Sequence, residues 1–149
     1  MNRRDAMKSV AAAGAVWSLG AMAQPKEAAK DAKKAVAPSG IGAHKDVYDA
    51  AVDCLKVGRE CLDHCIRQLS TGDTMMAECA ATTRAMLATC DAVVQLAMLD
   101  SKYFKDAAAL CAKACRDCEA ACKKHSGHHA ECKACMESCK RCAEACEKA

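Results

Sequence analysis

Residues 111–146 read CAKACRDCEAACKKHSGHHAECKACMESCKRCAEAC and hold nine of the fourteen cysteines of this 149-residue chain. The stretch contains no Leu, Ile, Val, Phe, Tyr or Trp. Its cysteines recur every three or four residues on either side of a loop at 125–128, and this spacing keeps each group on one face of a helix. The sequence therefore predicts a helical hairpin whose inner face carries sulfur in place of hydrocarbon.

The five remaining cysteines precede this hairpin and follow the same spacing rule on two further helical segments. Four helices of similar length joined by short turns favour antiparallel neighbours. We therefore predict an all-α fold, an antiparallel up-and-down four-helix bundle with an inward-facing cysteine core, over residues 44–149. The predicted helices span about residues 44–69, 74–99, 102–124 and 129–148.

The N-terminal segment has the features of an export signal. Residues 1–23 combine a basic start, a modest apolar run and a small-residue cleavage site that ends at Ala23. The paired Arg3 and Arg4 resemble a twin-arginine motif. We interpret residues 24–43, which are rich in Ala and Lys, as a flexible linker. The predicted location is the bacterial periplasm, after cleavage of the signal.

Composition excludes several classes of function for the mature chain. The signal carries three of the 22 basic residues and one of the 19 acidic residues, which leaves a mature charge of +1. A chain so close to neutral does not predict nucleic-acid binding. No membrane-spanning segment is expected after cleavage. The sequence also shows no constellation of nucleophile, acid and base, so we do not predict an enzyme.

Disulfides and ordinary core packing are two alternative roles for the cysteines. Positions i and i+4 of a helix hold Cβ atoms about 5 to 6 Å apart, whereas a disulfide needs roughly 3.5 to 4.5 Å. Disulfides between helices stay open as an alternative, because exported proteins commonly contain them. Core packing would explain one or two buried cysteines, but fourteen with so little hydrocarbon would form a thin core.

Metal binding agrees best with the repeated CxxxC and CxxC pairs. Structural zinc prefers closed tetrahedral sites, which are usually built from knuckles and loops. Cu(I) is the soft ion that thiolate and thioether ligands select. One monovalent ion per thiolate also leaves the core neutral, which avoids the cost of buried charge. We therefore predict multiple Cu(I) ions, on the order of one ion per cysteine.

This pattern of pairs on an all-helical sequence, after a twin-arginine-like signal, resembles the bacterial copper storage proteins, in particular their exported branch. The resemblance implies a four-helix bundle whose inward cysteines bind many Cu(I) ions, often in a homo-oligomer of such bundles. It also implies that every cysteine is a copper ligand. These are Cys54, Cys61, Cys65, Cys79, Cys90, Cys111, Cys115, Cys118, Cys122, Cys132, Cys135, Cys139, Cys142 and Cys146.

One end of the predicted bundle combines thioether and imidazole groups, because the turns at 70–73 and 125–128 share that end. Thioether and imidazole are weaker and more exchangeable copper ligands than thiolate. We therefore expect copper to enter the bundle there. The candidate ligands outside the cysteine set are Met75, Met86, His125, His128 and His129.

The other methionines and histidines are expected away from the metal. Met75 and Met86 lie on the predicted inner stripe of the second helix, whereas Met76 and Met98 turn away from it. His64 lies about 80° from the stripe of the first helix, which favours solvent or the edge of the bundle.

The sequence thus predicts an exported Cu(I) storage or sequestration protein that exchanges copper with an accepting protein or a chelator. One alternative is a thiol redox protein that uses CxxC dithiols. Reactive dithiols normally lie at a helix N-terminus, however, and these pairs repeat within helices. The other alternative is a zinc-binding, metallothionein-like protein.

Overall fold

The computed structural model describes residues 41–149, and four long helices account for most of them. Each predicted helix is present, and its bounds differ from the predicted ones by at most three residues. A short 3-10 turn, Thr74–Met76, precedes the second helix. The four helices are α1 (Ile41–Ser70), α2 (Ala77–Met98), α3 (Phe104–Lys123) and α4 (Ala130–Glu147).

The predicted export signal and most of the predicted linker lie outside the described residues. α1 begins at Ile41, inside the segment that the sequence assigns to the linker. The backbone of His44 is non-helical, with φ −121° and ψ 16°, and divides a short first turn from the main part of α1.

The helices form a closed antiparallel ring, which confirms the predicted up-and-down bundle. α1 packs against α2 and α4, and α3 packs against α2 and α4. The turns at 71–73 and 124–129 therefore lie at one end of the bundle, which we call the histidine end. The start of α1, the turn at 99–103 and the end of α4 lie at the opposite end, which we call the far end.

The first turn follows from local sequence. Gly72 has φ 94°, a left-handed conformation that glycine adopts without steric cost, and it ends α1. The side chain of Asp73 accepts a hydrogen bond from the backbone N–H of Met75, 3.0 Å away, and caps the 3-10 turn. Residues 70–73 therefore reverse the chain tightly enough for α1 and α2 to pack side by side.

Hydrocarbon is concentrated near the far end of the bundle. Val47, Val93, Ala97 and Phe104 are buried there, with exposed fractions of 5% or less. The remainder of the interior is occupied mainly by cysteine. No helix among residues 41–149 has the length and apolar character that crossing a membrane requires.

Exposed ion pairs link neighbouring helices on the outside. Arg116 of α3 makes two parallel hydrogen bonds of 2.9 Å to the carboxylate of Glu147 at the end of α4. Asp53 of α1 accepts a hydrogen bond of 3.0 Å from the buried hydroxyl of Ser138 and forms an ion pair of 2.8 Å with Arg141, both of α4. Such exposed pairs typically contribute less than about 1 kcal/mol each, so the interior decides the stability of the fold.

Candidate metal centre

All fourteen cysteines lie inside the bundle. Thirteen have an exposed fraction of 0%, and Cys146 has 4%. Each is a free thiol, so the inter-helix disulfides that the sequence left open are not formed in this structure. The sulfur atoms of neighbouring cysteines, 3.3 to 3.9 Å apart in close pairs, are much farther apart than the roughly 2.05 Å of an S–S bond.

The thiols form five overlapping groups, within each of which the Sγ atoms lie within 4.8 Å of one another. Every cysteine belongs to at least one group, and one group takes a single cysteine from each of the four helices. Such groups offer the two- or three-coordinate sulfur sites that suit Cu(I). The groups are Cys54/Cys90/Cys115/Cys142, Cys61/Cys65/Cys79/Cys132, Cys61/Cys122/Cys135, Cys111/Cys142/Cys146 and Cys118/Cys135/Cys139.

α2 contributes fewer cysteines than the other helices, but both of them meet sulfur from neighbouring helices. Cys79 lies 3.3 Å from Cys122 of α3. Cys90 lies 3.5 Å from Cys111 of α3 and 3.9 Å from Cys142 of α4. The two thiols of α2 are therefore as well placed for bridging as those of the more cysteine-rich helices.

Sulfur–sulfur hydrogen bonds dominate the electrostatics of the core. The pKa of Cys90 is raised, because hydrogen bonding to Cys111 and other thiols, together with burial, favours its neutral form. The pKa of Cys122 is raised for the same reasons, with Cys118 as its main partner. The pKa of Cys79 is lowered, because Cys122 and further thiols donate to its sulfur. The array thus shares its protons between adjacent sulfur atoms.

The burial of Met86 confirms its predicted position on the inner stripe of α2. Its side chain is fully buried, and its Sδ lies 3.4 Å from the Sγ of Cys54 and 3.6 Å from the Sγ of Cys90. The thioether therefore adjoins the group that takes one cysteine from each helix.

The predicted positions of Met75 and Met76 were wrong. Met75 is 72% exposed, whereas Met76, which was expected to turn away, is 1% exposed. The reason is the 3-10 turn at Thr74–Met76, which rotates about 120° per residue instead of 100°. Extending the α-helical period of α2 back into this turn therefore assigns the wrong methionine to the interior.

Histidines converge at the histidine end, partly as expected. His129 is half-buried, and its ring centroid lies 6.4 Å from that of half-buried His125. His128 is exposed. The structure therefore brings two of the three predicted histidine ligands close together and leaves the third in solvent.

Of the two positions expected for His64, solvent was wrong, because the residue lies in the seam between α1 and α4 at the edge of the bundle. Its side chain is buried, its Nε2 lies 2.9 Å from Nδ1 of His129, and its Nδ1 lies 3.4 Å from a carboxylate oxygen of Glu131. An 80° offset from the cysteine stripe points this residue toward α4, and the α1–α4 seam is itself buried. By contrast, His44 stacks on Phe104 at the far end, with ring centroids 3.8 Å apart.

The predicted site residues do not include a buried polar residue that contacts the thiols. Thr83 of α2 is fully buried, and its hydroxyl lies 3.4 Å from the Sγ of Cys118. Its spacing, four residues after Cys79 and three before Met86, placed it on the inner stripe. The threonine therefore occupies an inner position of α2 at which the spacing predicts a further sulfur ligand.

The fold and interior define a class of protein: a four-helix bundle whose core is an array of thiols able to hold several soft metal ions. A family model described as Csp, copper storage protein, matches residues 42–149. The chain belongs to the copper storage protein family.

Two solved structures support this assignment. The Cu(I)-bound copper storage protein BsCsp3 is 30% identical with a TM-score of 0.64, covering 70% of this chain and 94% of that one. The apo form of copper storage protein 3 from Bacillus subtilis is 32% identical with a TM-score of 0.61, covering 70% and 95%.

Two further comparisons agree with this fold and composition. The copper storage protein Ccsp from Streptomyces lividans, solved with 10 copper equivalents, shares the fold at a TM-score of 0.66. It is 23% identical, over 76% of this chain and 91% of that one. An uncharacterised cysteine-rich protein of Bacillus subtilis strain 168, YhjQ, is 32% identical over 90 residues, which cover 60% of this chain and 80% of the relative.

Proposed function

We propose that this protein stores or sequesters Cu(I) and holds many ions on its core thiolates. One observation carries the proposal: all fourteen sulfur atoms are buried and belong to groups in which they lie within 4.8 Å of one another. A single specific site would need only two to four of them. The relative BsCsp3, described as Cu(I)-bound, supports the choice of metal.

Charge balance favours a monovalent ion over a divalent one. Each Cu(I) that replaces a thiol proton leaves the interior as neutral as before, so loading requires no buried counter-charge. Two thiolates would be needed to neutralise each Zn(II), which would limit the number of ions in the same volume. The role that we propose is storage without catalysis.

Copper enters, in this proposal, at the histidine end. His64 and His129 form a hydrogen-bonded pair there, with His125 beside them. Cys65 follows His64 directly in α1, and Cys132 lies in the first turn of α4, so the group that contains both is the first one below the histidines. The imidazoles and the exposed thioether of Met75 would capture an ion and pass it to these stronger thiolate ligands.

We also propose a cellular location, a partner and an oligomeric state for the protein. The signal-like residues 1–23 support export to the periplasm. The partner that receives copper would be a copper-accepting protein or a chelator, and the bundles would associate into a homo-oligomer.

Anaerobic titration of the fully reduced protein with Cu(I), in competition with a chromophoric chelator, tests the storage function. We expect saturation on the order of one ion per cysteine. The matched control is the same protein with all thiols alkylated, which should take up no tightly held copper. Saturation at one or two ions would overturn the proposal, and tighter uptake of several zinc ions would favour a metallothionein-like role.

Stopped-flow measurement of copper uptake tests the proposed point of entry. His129→Ala should slow uptake several-fold and leave the final copper content unchanged, because the histidine delivers ions but does not store them. His44→Ala, at the far end, is the matched control and should leave the rate unchanged. Equal rates in both variants would place the point of entry elsewhere.

A further inference from the structure

The column of thiols is divided into two sets along the bundle. Six cysteines lie toward the histidine end and six toward the far end. Among the described residues, no group of mutually close thiols contains members of both sets. The histidine-end set is Cys61, Cys65, Cys79, Cys122, Cys132 and Cys135, and the far-end set is Cys54, Cys90, Cys111, Cys115, Cys142 and Cys146.

The two remaining cysteines, Cys118 and Cys139, connect the sets, and we call them the linking cysteines. Cys118 lies 3.9 Å from Cys122 and 3.8 Å from Cys135, both in the histidine-end set. Cys139 lies 3.9 Å from Cys135 and 3.7 Å from Cys54 of the far-end set. Cys118 belongs to α3 and Cys139 to α4, so both linking thiols come from one side of the bundle.

On the other side, α1 and α2 offer no thiol at this level. The interior positions are occupied by Gly58 of α1 and by Thr83 and Met86 of α2, three residues that we call the waist. A Cβ atom on Gly58 would lie 2.5 Å from the terminal methyl group of Met86. Glycine is therefore the residue at this position of α1 that leaves space for the methionine side chain.

The waist residues bind Cu(I) less strongly than a thiolate would. The thioether of Met86 is neutral, so an ion held there keeps an uncompensated charge in a buried site. The hydroxyl of Thr83 contacts Cys118 and, as a donor to its thiolate, would draw electron density from a bond between that sulfur and copper. Both effects weaken retention of copper between the two sets.

We infer that the waist divides the copper store into two pools, one on each set of six cysteines, which fill and empty as separate units. This inference rests on the proposed storage function. Neighbouring thiolates within a set share bridging ions, so losing one ion weakens the rest of that set. The linking cysteines offer the route by which an ion passes from one pool to the other.

Partial unloading followed by alkylation tests the inference. The copper-loaded protein is treated anaerobically with excess bicinchoninate until half of the copper is removed, and each freed sulfur takes a proton from water. Iodoacetamide then labels the freed thiols, and mass spectrometry locates them. We expect the labelled fraction to differ between the two sets by more than about fivefold. Equal labelling of both sets would overturn the inference.

Variants at the waist provide the matched comparison. Thr83→Cys combined with Met86→Cys would extend the thiol array of α2 across the waist and should merge the two pools, so that labelling becomes even. Thr83→Ser keeps the hydroxyl and should label as unevenly as the original protein. An uneven pattern that persists in the double variant would show that the waist does not separate the pools.

The NMR signal of the Met86 methyl group provides a second test of the proposed boundary, and this test does not require removal of copper. In protein labelled with ¹³C at the methionine methyl groups, the Met86 signal is assigned by its loss in Met86→Leu. We expect this signal to shift when copper loads the far-end set, because Sδ adjoins Cys54 and Cys90. A signal that stays unchanged at full loading would remove Met86 from the proposed boundary.

The outcomes separate this inference from the proposed function. If the protein binds only one or two Cu(I) ions, storage itself is wrong. If it binds many ions and releases them evenly from both sets, storage stands and the division into two pools is wrong.

Discussion

Cys90 lies at the most sulfur-rich point of the interior. Its Sγ lies within 4 Å of the sulfur atoms of Met86, Cys111, Cys115 and Cys142. A residue so placed can bridge more than one ion, because each thiolate has several lone pairs available to soft metals. The cysteines are therefore expected to differ in their contribution to capacity, although all of them are buried.

Cys90→Ser should lower the copper capacity more than Cys146→Ser does. Serine has nearly the same shape, but its oxygen is a poor ligand for Cu(I), so every ion that Cys90 bridges is weakened. We expect a loss of about two ions against about one for Cys146, whose group holds three thiols where the group of Cys90 holds four. Native mass spectrometry of the loaded variants measures both values, and equal losses would contradict the prediction.

Raised thiol pKa values should make the copper-free protein lose stability in alkaline solution. The pKa of Cys132 is raised from its ordinary value of 9.0 to about 12. Donation from Cys122 would lower this pKa, but contacts with Cys61 and Cys79 and burial outweigh it. The unfolded chain then loses this proton from pH 9 upward while the folded chain keeps it, so stability is complete below pH 9 and falls toward pH 12.

Urea denaturation of the reduced, copper-free protein between pH 8 and pH 11 checks this prediction, with circular dichroism to follow the helices. Cys132→Ser is the matched variant and should show a shallower fall, because the serine hydroxyl does not ionise in this range. Stability that rises with pH would mean that the thiols with lowered pKa values, such as Cys54, dominate instead.

Whether a residue's position could be predicted from sequence depends on its local backbone and on what it packs against. The cysteines lie in uninterrupted helix, where rotation by about 100° per residue fixes their direction from spacing alone. Met75 and Met76 precede the helix in a tighter turn, which spacing cannot reveal. His64 faces a neighbouring helix and not the central axis, so its burial depends on how α1 and α4 pack.

At the scale of single elements, the packing of α1 against α2 depends on Gly58. A glycine within a helix costs about 1 kcal/mol relative to alanine, and here it leaves space for Met86 and Leu87 of α2. Its spacing, four residues after Cys54 and three before Cys61, places the glycine on the inner side of the helix but does not reveal the methionine opposite it. Only the packed pair of helices explains its presence.

Gly58→Leu should destabilise the copper-free bundle by about 1 to 3 kcal/mol, because the added side chain overlaps Met86 and Leu87. Urea denaturation gives the change in the free energy of unfolding. Gly127→Leu is the control, since a Cβ atom there meets nothing within 4 Å. If both variants were equally stable, the two helices would have room that the structure does not show.

For the whole molecule, the small amount of hydrocarbon in the core makes stability depend on metal. Fully buried side chains are mostly cysteine, and few larger apolar residues accompany them. A ligand that binds the folded state alone stabilises it according to its concentration and affinity. Copper is therefore expected to contribute to the folding of the bundle as well as to be stored in it.

Full loading with Cu(I) should raise the melting temperature by at least about 10 °C. Differential scanning calorimetry under anaerobic conditions measures the shift, and removal of copper by excess chelator should reverse it. A copper-free protein as resistant to heat as the loaded one would show that ordinary packing holds the core.

The buried thiols of the copper-free bundle also hold protons. The pKa is raised in most of them, as in Cys90 and Cys139, so most thiols of the copper-free protein are protonated at neutral pH. Every Cu(I) that takes a place on a protonated sulfur must expel about one proton to the surrounding water. The bundle is in effect an ion exchanger: filling it acidifies its surroundings, and an acid medium favours its emptying.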